Sequence, residues 1–208
     1  MFNLTARELR TLRRLDTPAK VQDFLYTIPY NFEPEGDTCL SPRRVLREKR
    51  AHCMEGAMVA ALAFRLQGRL PLVIDLEGAP ADCDHVIAVF KERGKWGAVS
   101  STNHSVLRFR DPVYKTVREL VMSYFHEYTD HAGNKTLRAY SRPVNLARFD
   151  AQHWMTHEEP VWFVPAYLAK IRHTKIVTGH EADQLRSQEP IELQAGEMVQ
   201  WKPPRKRV

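Results

Sequence analysis

The sequence predicts an α+β fold in which a central buried helix packs on an antiparallel sheet, with additional helices around it. Two observations support this fold class. Residues 53–67 (CMEGAMVAALAFRLQ) are apolar on nearly every face, which is typical of a helix inside a core. Three short apolar runs follow, at 70–76, 85–90 and 95–100, separated by turn residues. A helix followed by such runs indicates an antiparallel meander.

Three helices are predicted ahead of the central one. Thr5 and Glu8 have the spacing of a capping box, so the first helix should cover about residues 6–15. A Thr-Pro pair opens the second, over about 18–28, where apolar residues recur at helical spacing. A Ser-Pro pair opens the third, which is basic and runs through about residue 49.

Beyond the meander the pattern is less regular. We expect a helix from Pro112 to about Tyr128, an edge strand at 136–140, and a helix at 158–171 that Pro165 kinks. We therefore predict one domain over residues 1–175. A polar, basic C-terminal tail should follow over residues 176–208, ending in KPPRKRV.

Composition limits the class of protein. The chain has 208 residues, 43% of them hydrophobic, and a formal net charge of +6, which fits a globular domain with a solvated basic surface. The charged N-terminal segment lacks the apolar core of a signal peptide, and no apolar run is long enough to cross a bilayer. We expect a soluble cytoplasmic protein without a membrane partner. The basic charge leaves nucleic-acid binding open as a third, less favoured interpretation.

The cysteines suggest chemistry rather than cross-linking. There are three, at Cys39, Cys53 and Cys83, an odd number without regular spacing, so a disulfide framework is not expected. Cys53 falls where the central helix begins, and the positive end of a helix dipole favours the thiolate. His85 opens the strand that follows, so it could exchange a proton with that thiol. Asp84 should point to the opposite face of the sheet.

These residues resemble a known family. Arg50–Gly68, His85–Phe90 and Trp96–Ser100 are similar to the core of the transglutaminase-like cysteine peptidase superfamily. That family places a nucleophilic Cys at a helix start, with an acidic residue and an Ala soon after, and a Leu and a Gly near the helix end. Its general-base His opens a strand. The corresponding residues here are Cys53, Glu55, Ala57, Leu66, Gly68 and His85.

The resemblance departs from the family at one position. The family carries an Asp four residues after the Trp of the next strand, and this chain has Ser100 there. Asn103, three residues further on, is the alternative, because an Asn orients the His in papain-like enzymes. The resemblance implies a cysteine-dependent hydrolase or acyltransferase acting on an amide-type bond, with Cys53, His85, and Ser100 or Asn103 as its catalytic residues. Its substrate would be a peptide or protein.

Two other interpretations stay open. Because an Asp is missing at position 100, the chain could instead be a weak or inactive domain of the same architecture that binds a protein or peptide. A zinc site could also be built from His52, Cys53, Cys83, His85 and His104, although their spacing matches no metal motif. We therefore expect no metal. We also expect no cofactor, and glycine-rich phosphate loops are absent from the sequence.

Overall fold

The computed structural model describes residues 2–203. Helices and strands alternate irregularly along the chain, with one 3-10 helix at Leu146–Gln152. The α-helices are α1 Ala6–Arg13, α2 Pro18–Tyr26, α3 Pro42–Glu48, α4 Cys53–Leu66, α5 Val117–Met122, α6 Phe163–Leu168, α7 Gly179–Ala182 and α8 Pro190–Gly196. The strands are β1 Leu72–Glu77, β2 His85–Glu92, β3 Lys95–Ser100, β4 Arg110–Tyr114, β5 Ala139–Ser141, β6 Val144–Asn145 and β7 His173–Lys175.

The strands form one open antiparallel sheet of seven strands. The order is β4-β3-β2-β1-β5-β7, and β6 also pairs with β1. The meander β1-β2-β3 lies at its centre, with Ile74 opposite Ile87 and Val89 opposite Ala98. The fold is therefore mixed α and β with an antiparallel sheet, as the sequence predicts.

Helix α4 is the centre of the main core. Its residues from Met54 to Phe64 are all buried, and it packs against α1, α2 and α3 as well as β1, β2 and β3. Alternate residues of β2, including Val86, Ala88 and Phe90, join this core. Their neighbours Ile87 and Val89 belong to a second apolar cluster, built on helix α5. This helix, apolar on nearly every face, is therefore buried because it has partners on every side.

The N-terminal helices begin where the sequence predicts. The side chains of Thr5, Thr17 and Ser41 accept backbone N–H groups in the first turns of α1, α2 and α3. Thr5 and Glu8 form the expected capping box. These caps position the three helices that surround α4.

The helix predicted from Pro112 is wrong over its first part. Pro112 lies within strand β4, which is at the edge of the sheet, where a residue without an N–H is tolerated. Thr116 then caps helix α5 by accepting the N–H of Glu119. The apolar spacing of residues 117–125 marks a real helix, but it starts later and ends at Met122.

Two later elements also differ from the prediction. Strand β5 lies between β1 and β7, so it is an interior strand rather than an edge. Helix α6 is shorter than predicted, and Pro165 lies in its first turn. An N–H there has no acceptor within the helix, so this proline starts the helix without kinking it.

The segment expected to be a polar tail folds against the domain as far as it is described. It begins directly after β7 and carries α7 and α8. Its residues Met198 and Gln200 contact the segment that follows β3. The N–H of Ser105 donates to the Met198 carbonyl at 3.0 Å, and the N–H of Gln200 donates to the Asn103 carbonyl at 2.8 Å. The basic residues 204–208 lie outside the described part. No helix within residues 2–203 has the length and apolar character needed to span a membrane.

Candidate active site

Cys53 is the first residue of helix α4, and its neighbour His52 is the residue that caps the helix. Cys53 is partly buried, and it lines a cavity of about 430 Å³ together with His85. His52 directly precedes Cys53, and the imidazoles of His52 and His85 both lower the pKa of its thiol. The structure thus brings together the thiol and the imidazole that the sequence singled out.

A chain of hydrogen bonds fixes the orientation and tautomer of His85. Ser100 Oγ donates its proton to the Leu107 carbonyl at 2.5 Å, and the same oxygen lies 2.8 Å from His85 Nε2. Since the hydroxyl proton points at the Leu107 carbonyl, Oγ must act as the acceptor in the hydrogen bond with His85, and Nε2–H must be the donor. Nδ1 is then the ring nitrogen available to Cys53. Ser100 is fully buried and His85 nearly so, which shields this chain from water.

Strand pairing explains why Ser100 meets His85. Ser100 is opposite Ile87 across β2 and β3, and His85 lies two residues before Ile87 on the same side of the strand. A diagonal pair on neighbouring antiparallel strands is within side-chain reach. Asp84 takes no part, because its Oδ1 accepts the N–H of Gly78 at 2.9 Å.

Asn103, the other residue considered for orienting His85, has different partners. Its Nδ2 donates to the Trp201 carbonyl at 3.0 Å, and its Oδ1 accepts the Trp201 N–H at 2.8 Å. Both ends of the amide therefore hold the C-terminal segment against the loop after β3. Asn103 contributes to the cavity wall, while the contact to His85 is made by Ser100.

Gln22 supports Ser100 from helix α2 and was not singled out by the sequence. Its Nε2 donates to the Ser100 carbonyl at 2.8 Å, and its Oε1 accepts the Ser100 N–H at 2.9 Å. Gln22 is buried. It lies three residues before Leu25, on the apolar side of α2, and a polar residue on a buried helix side is the pattern that marks it.

The thiol of Cys53 is the acidic one of the three. Burial opposes its ionisation, but hydrogen bonds from His52 and His85 and the charges of the two rings lower its pKa to about 5. Burial and the nearby Glu55 raise the pKa of Cys39, and burial and Asp82 raise the pKa of Cys83. All three cysteines are free. Cys53 is therefore the thiolate at neutral pH.

The cavity beside Cys53 is acidic although the chain is basic overall. Its walls come from residues 81–85, 101–107 and 127–131, together with helix α8. Among the described residues that line it, none is Lys or Arg, whereas the carboxylates are Asp82, Asp84, Glu127, Asp130 and Glu197. Glu127 is paired with Arg110 at 2.7 Å. The remaining carboxylates leave a negative field, which favours a cationic or neutral ligand.

The described part of the chain offers no set of ligands for a zinc ion. Within residues 2–203, no group of three or more His, Cys, Asp and Glu side chains is arranged to hold a metal ion. His52 and His85 instead flank Cys53, while His104 Nδ1 lies 3.2 Å from the Gly196 carbonyl.

No protein-family model matches this chain, and no curated protein matches it. The similarity to the transglutaminase-like superfamily therefore rests on the residues themselves. The site adds Gln22 to the residues named from the sequence. His52, considered there only as a zinc ligand, lies beside the thiol. His52 carries a visible mark in the sequence, since a histidine occupies the capping position where Ser, Thr, Asp or Asn is usual.

Proposed function

We propose that this protein is a cysteine-dependent hydrolase or acyltransferase with a transglutaminase-like core, acting on an amide-type bond in a peptide or protein. The observation that supports it best is the series of hydrogen bonds from the Leu107 carbonyl through Ser100 Oγ to the His85 ring. That ring lines the same cavity as Cys53 and lowers the pKa of its thiol. Such a series gives a thiol a base of defined tautomer. A histidine with a purely structural role would not need a cysteine beside it. Here a partly exposed cysteine, Cys53, lines the same cavity as His85.

The proposed reaction proceeds through a thioester. The Cys53 thiolate attacks the carbonyl carbon, and the C=O electron pair moves to oxygen. The intermediate then collapses and expels the amine, whose nitrogen takes a proton from the His85 imidazolium. In the second half, water or an acceptor amine gives a proton to His85 and attacks the thioester, and the Cys53 thiolate leaves.

Ser100 replaces the charge of an Asp with hydrogen bonding. A carboxylate beside Nε2 would stabilise the imidazolium electrostatically. The hydroxyl holds the tautomer but adds no charge, so we expect a slower enzyme than one with Asp at this position. The backbone N–H of Cys53 and the phenol of Tyr30, which also lines the cavity, are the donors we assign to the developing oxyanion.

The test is acylation of Cys53 by p-nitrophenyl acetate, read by the mass of the Cys53 peptide and by release of nitrophenol. We expect a burst followed by turnover, which Cys53→Ala abolishes and the matched control Cys83→Ser leaves intact. His85→Ala should slow both phases. If Cys53 acylates no faster than a free thiol at mildly acidic pH, and His85→Ala changes nothing, the proposal is wrong.

The alternative is a non-catalytic domain that binds a peptide in the same cavity, and the uncharged Ser100 is the observation in its favour. In that case Cys53→Ala would retain peptide binding in full while no acyl-enzyme forms in the parent protein. Comparing the parent protein with Cys53→Ala in the two assays, acylation and peptide binding, therefore distinguishes the two proposals.

A further inference from the structure

Two imidazoles, those of His52 and His85, lower the pKa of Cys53, and the proposed proton transfer uses only His85. The ring of His52 is held in a polar pocket at the start of helix α4. Its Nε2 lies 3.0 Å from the Thr38 carbonyl. The same nitrogen lies 3.4 Å from Glu55 Oε1 and 3.6 Å from Glu33 Oε1. One ring nitrogen thus faces two carboxylates and a carbonyl, all of which favour a positive ring.

The carboxylate of Glu55 is itself fixed, so the pocket is built rather than incidental. Glu55 is fully buried. Its oxygens accept the His52 N–H at 3.0 Å and the Leu40 N–H at 2.8 Å. They also accept the Thr38 hydroxyl at 2.7 Å and Asn31 Nδ2 at 3.1 Å. These donors come from the loop before α3 and from the backbone of His52 itself, and they hold the carboxylate beside the His52 ring.

We propose that His52 is a positioning residue that serves as a permanent cation for the Cys53 thiolate, while His85 is the histidine that gives and regains the proton. The inference rests on the proposed function and assigns a division of labour within it. His85 must lose its proton to the leaving amine and recover one from water. His52 keeps its proton throughout, so the thiolate has a cationic neighbour both when it attacks and when it leaves.

The charge state of His52 agrees with this role. Burial alone would lower the pKa of the ring, but the hydrogen bond to Cys53 and the charges of Glu55 and Cys53 raise it to about 9. The titratable groups facing the ring are Cys53 and Glu55 from α4 and Glu33 from the preceding loop, with His85 of β2 across the thiol. The two pKa shifts, upward for His52 and downward for Cys53, both favour the imidazolium–thiolate form of this pair.

A purely structural role for His52 predicts a different result. As a neutral ring, His52 accepts the Met54 N–H at Nδ1, a contact of 3.3 Å, and caps α4. An imidazolium has a proton on Nδ1 and cannot accept that N–H. Asparagine separates the two roles, because it caps a helix well and carries no charge.

The experiment measures Cys53 alkylation by iodoacetamide against pH, by peptide mass spectrometry, in a Cys83→Ser background. His52→Asn is compared with His180→Asn, a control at an exposed position of helix α7. We expect His52→Asn to raise the midpoint of the pH profile from about 5 to about 6 or above, which lowers the alkylation rate at pH 6 by about twofold or more. Its melting temperature should stay close to that of the parent, and the control should change neither quantity.

An alkylation profile of His52→Asn that superimposes on the parent profile, with unchanged melting, would overturn the inference and leave His52 as a helix cap. His52→Ser, a second capping substitution, is read in the same way if Asn perturbs folding. A parent midpoint near that of a free thiol would instead overturn the proposed function, and this inference with it. A low parent midpoint with no response in either variant removes the His52 assignment alone.

Discussion

Gly56 faces Ser101 where helix α4 meets the end of strand β3, and Gly56→Ala would force the two elements apart. A Cβ atom at position 56 would lie 2.3 Å from Ser101 Cβ and 2.7 Å from Ser101 Oγ. Ser101 directly follows Ser100, so a shift of this strand end moves the hydroxyl that holds His85. Cys53 lies three residues before Gly56 on the same helix.

The expected effect is larger on catalysis than on stability. Carbon atoms in contact are normally about 3.5–4.0 Å apart, so a Cβ at position 56 and Ser101 Cβ must separate by more than about 1 Å. Overpacking of this kind costs about 1–3 kcal/mol, and the better helix propensity of Ala returns about 1 kcal/mol. A displacement of about 1 Å in a catalytic geometry can cost roughly a hundredfold in rate. We therefore expect a modest fall in melting temperature and a large fall in turnover.

The assay is turnover of p-nitrophenyl acetate, together with thermal unfolding followed by circular dichroism. Gly179→Ala is the matched control, because a Cβ there meets no atom within 4 Å. The double variant Gly56→Ala/Ser101→Gly removes the obstructing side chain and should recover most of the lost turnover. Full activity in Gly56→Ala, or no recovery in the double variant, would refute the steric reasoning.

Two further predictions concern the polar surroundings of the thiol. Ser100→Ala removes one buried hydrogen bond to His85, worth about 1–2 kcal/mol, and turnover should fall by about tenfold. Ser100→Asp should not improve on the parent, because its carboxylate would face the Leu107 carbonyl that now accepts the Ser100 proton; a faster Asp variant would contradict this view. In the Cys83→Ser background, a cationic methanethiosulfonate should modify Cys53 several-fold faster than an anionic one. Glu197→Gln and added salt should both reduce the ratio of the cationic to the anionic modification rate. Equal rates for the two reagents would show that the carboxylates lining the cavity do not affect the reactivity of the thiol.

The sequence predicts most of the core and the central pair of the site. A helix that is apolar on nearly every face and three short apolar runs leave few ways to fold, because each must bury its surface against the others. The thiol at the helix start and the histidine at the strand start are local features, so both could be placed in advance. The end of the third apolar run at Ser100 could also be predicted from the neighbouring residues, and β3 ends at that residue.

What the sequence left open depends on contacts between distant segments. The choice between Ser100 and Asn103 follows from where Leu107 and Trp201 place their backbone groups, and no local pattern encodes that. Gln22 contacts a residue 78 positions away. Pro112 was misread because a proline that starts a helix and a proline on an edge strand are equally compatible with the neighbouring residues.

The bonds between Asn103 and Trp201 join residues 98 positions apart, and this separation has a consequence during biosynthesis. A chain leaving the ribosome exposes its nucleophile, imidazole and hydroxyl well before helix α8 has been translated. Until then the cavity beside Cys53 lacks the wall that helix α8 supplies. The cavity is therefore completed only after the C-terminal segment has been made.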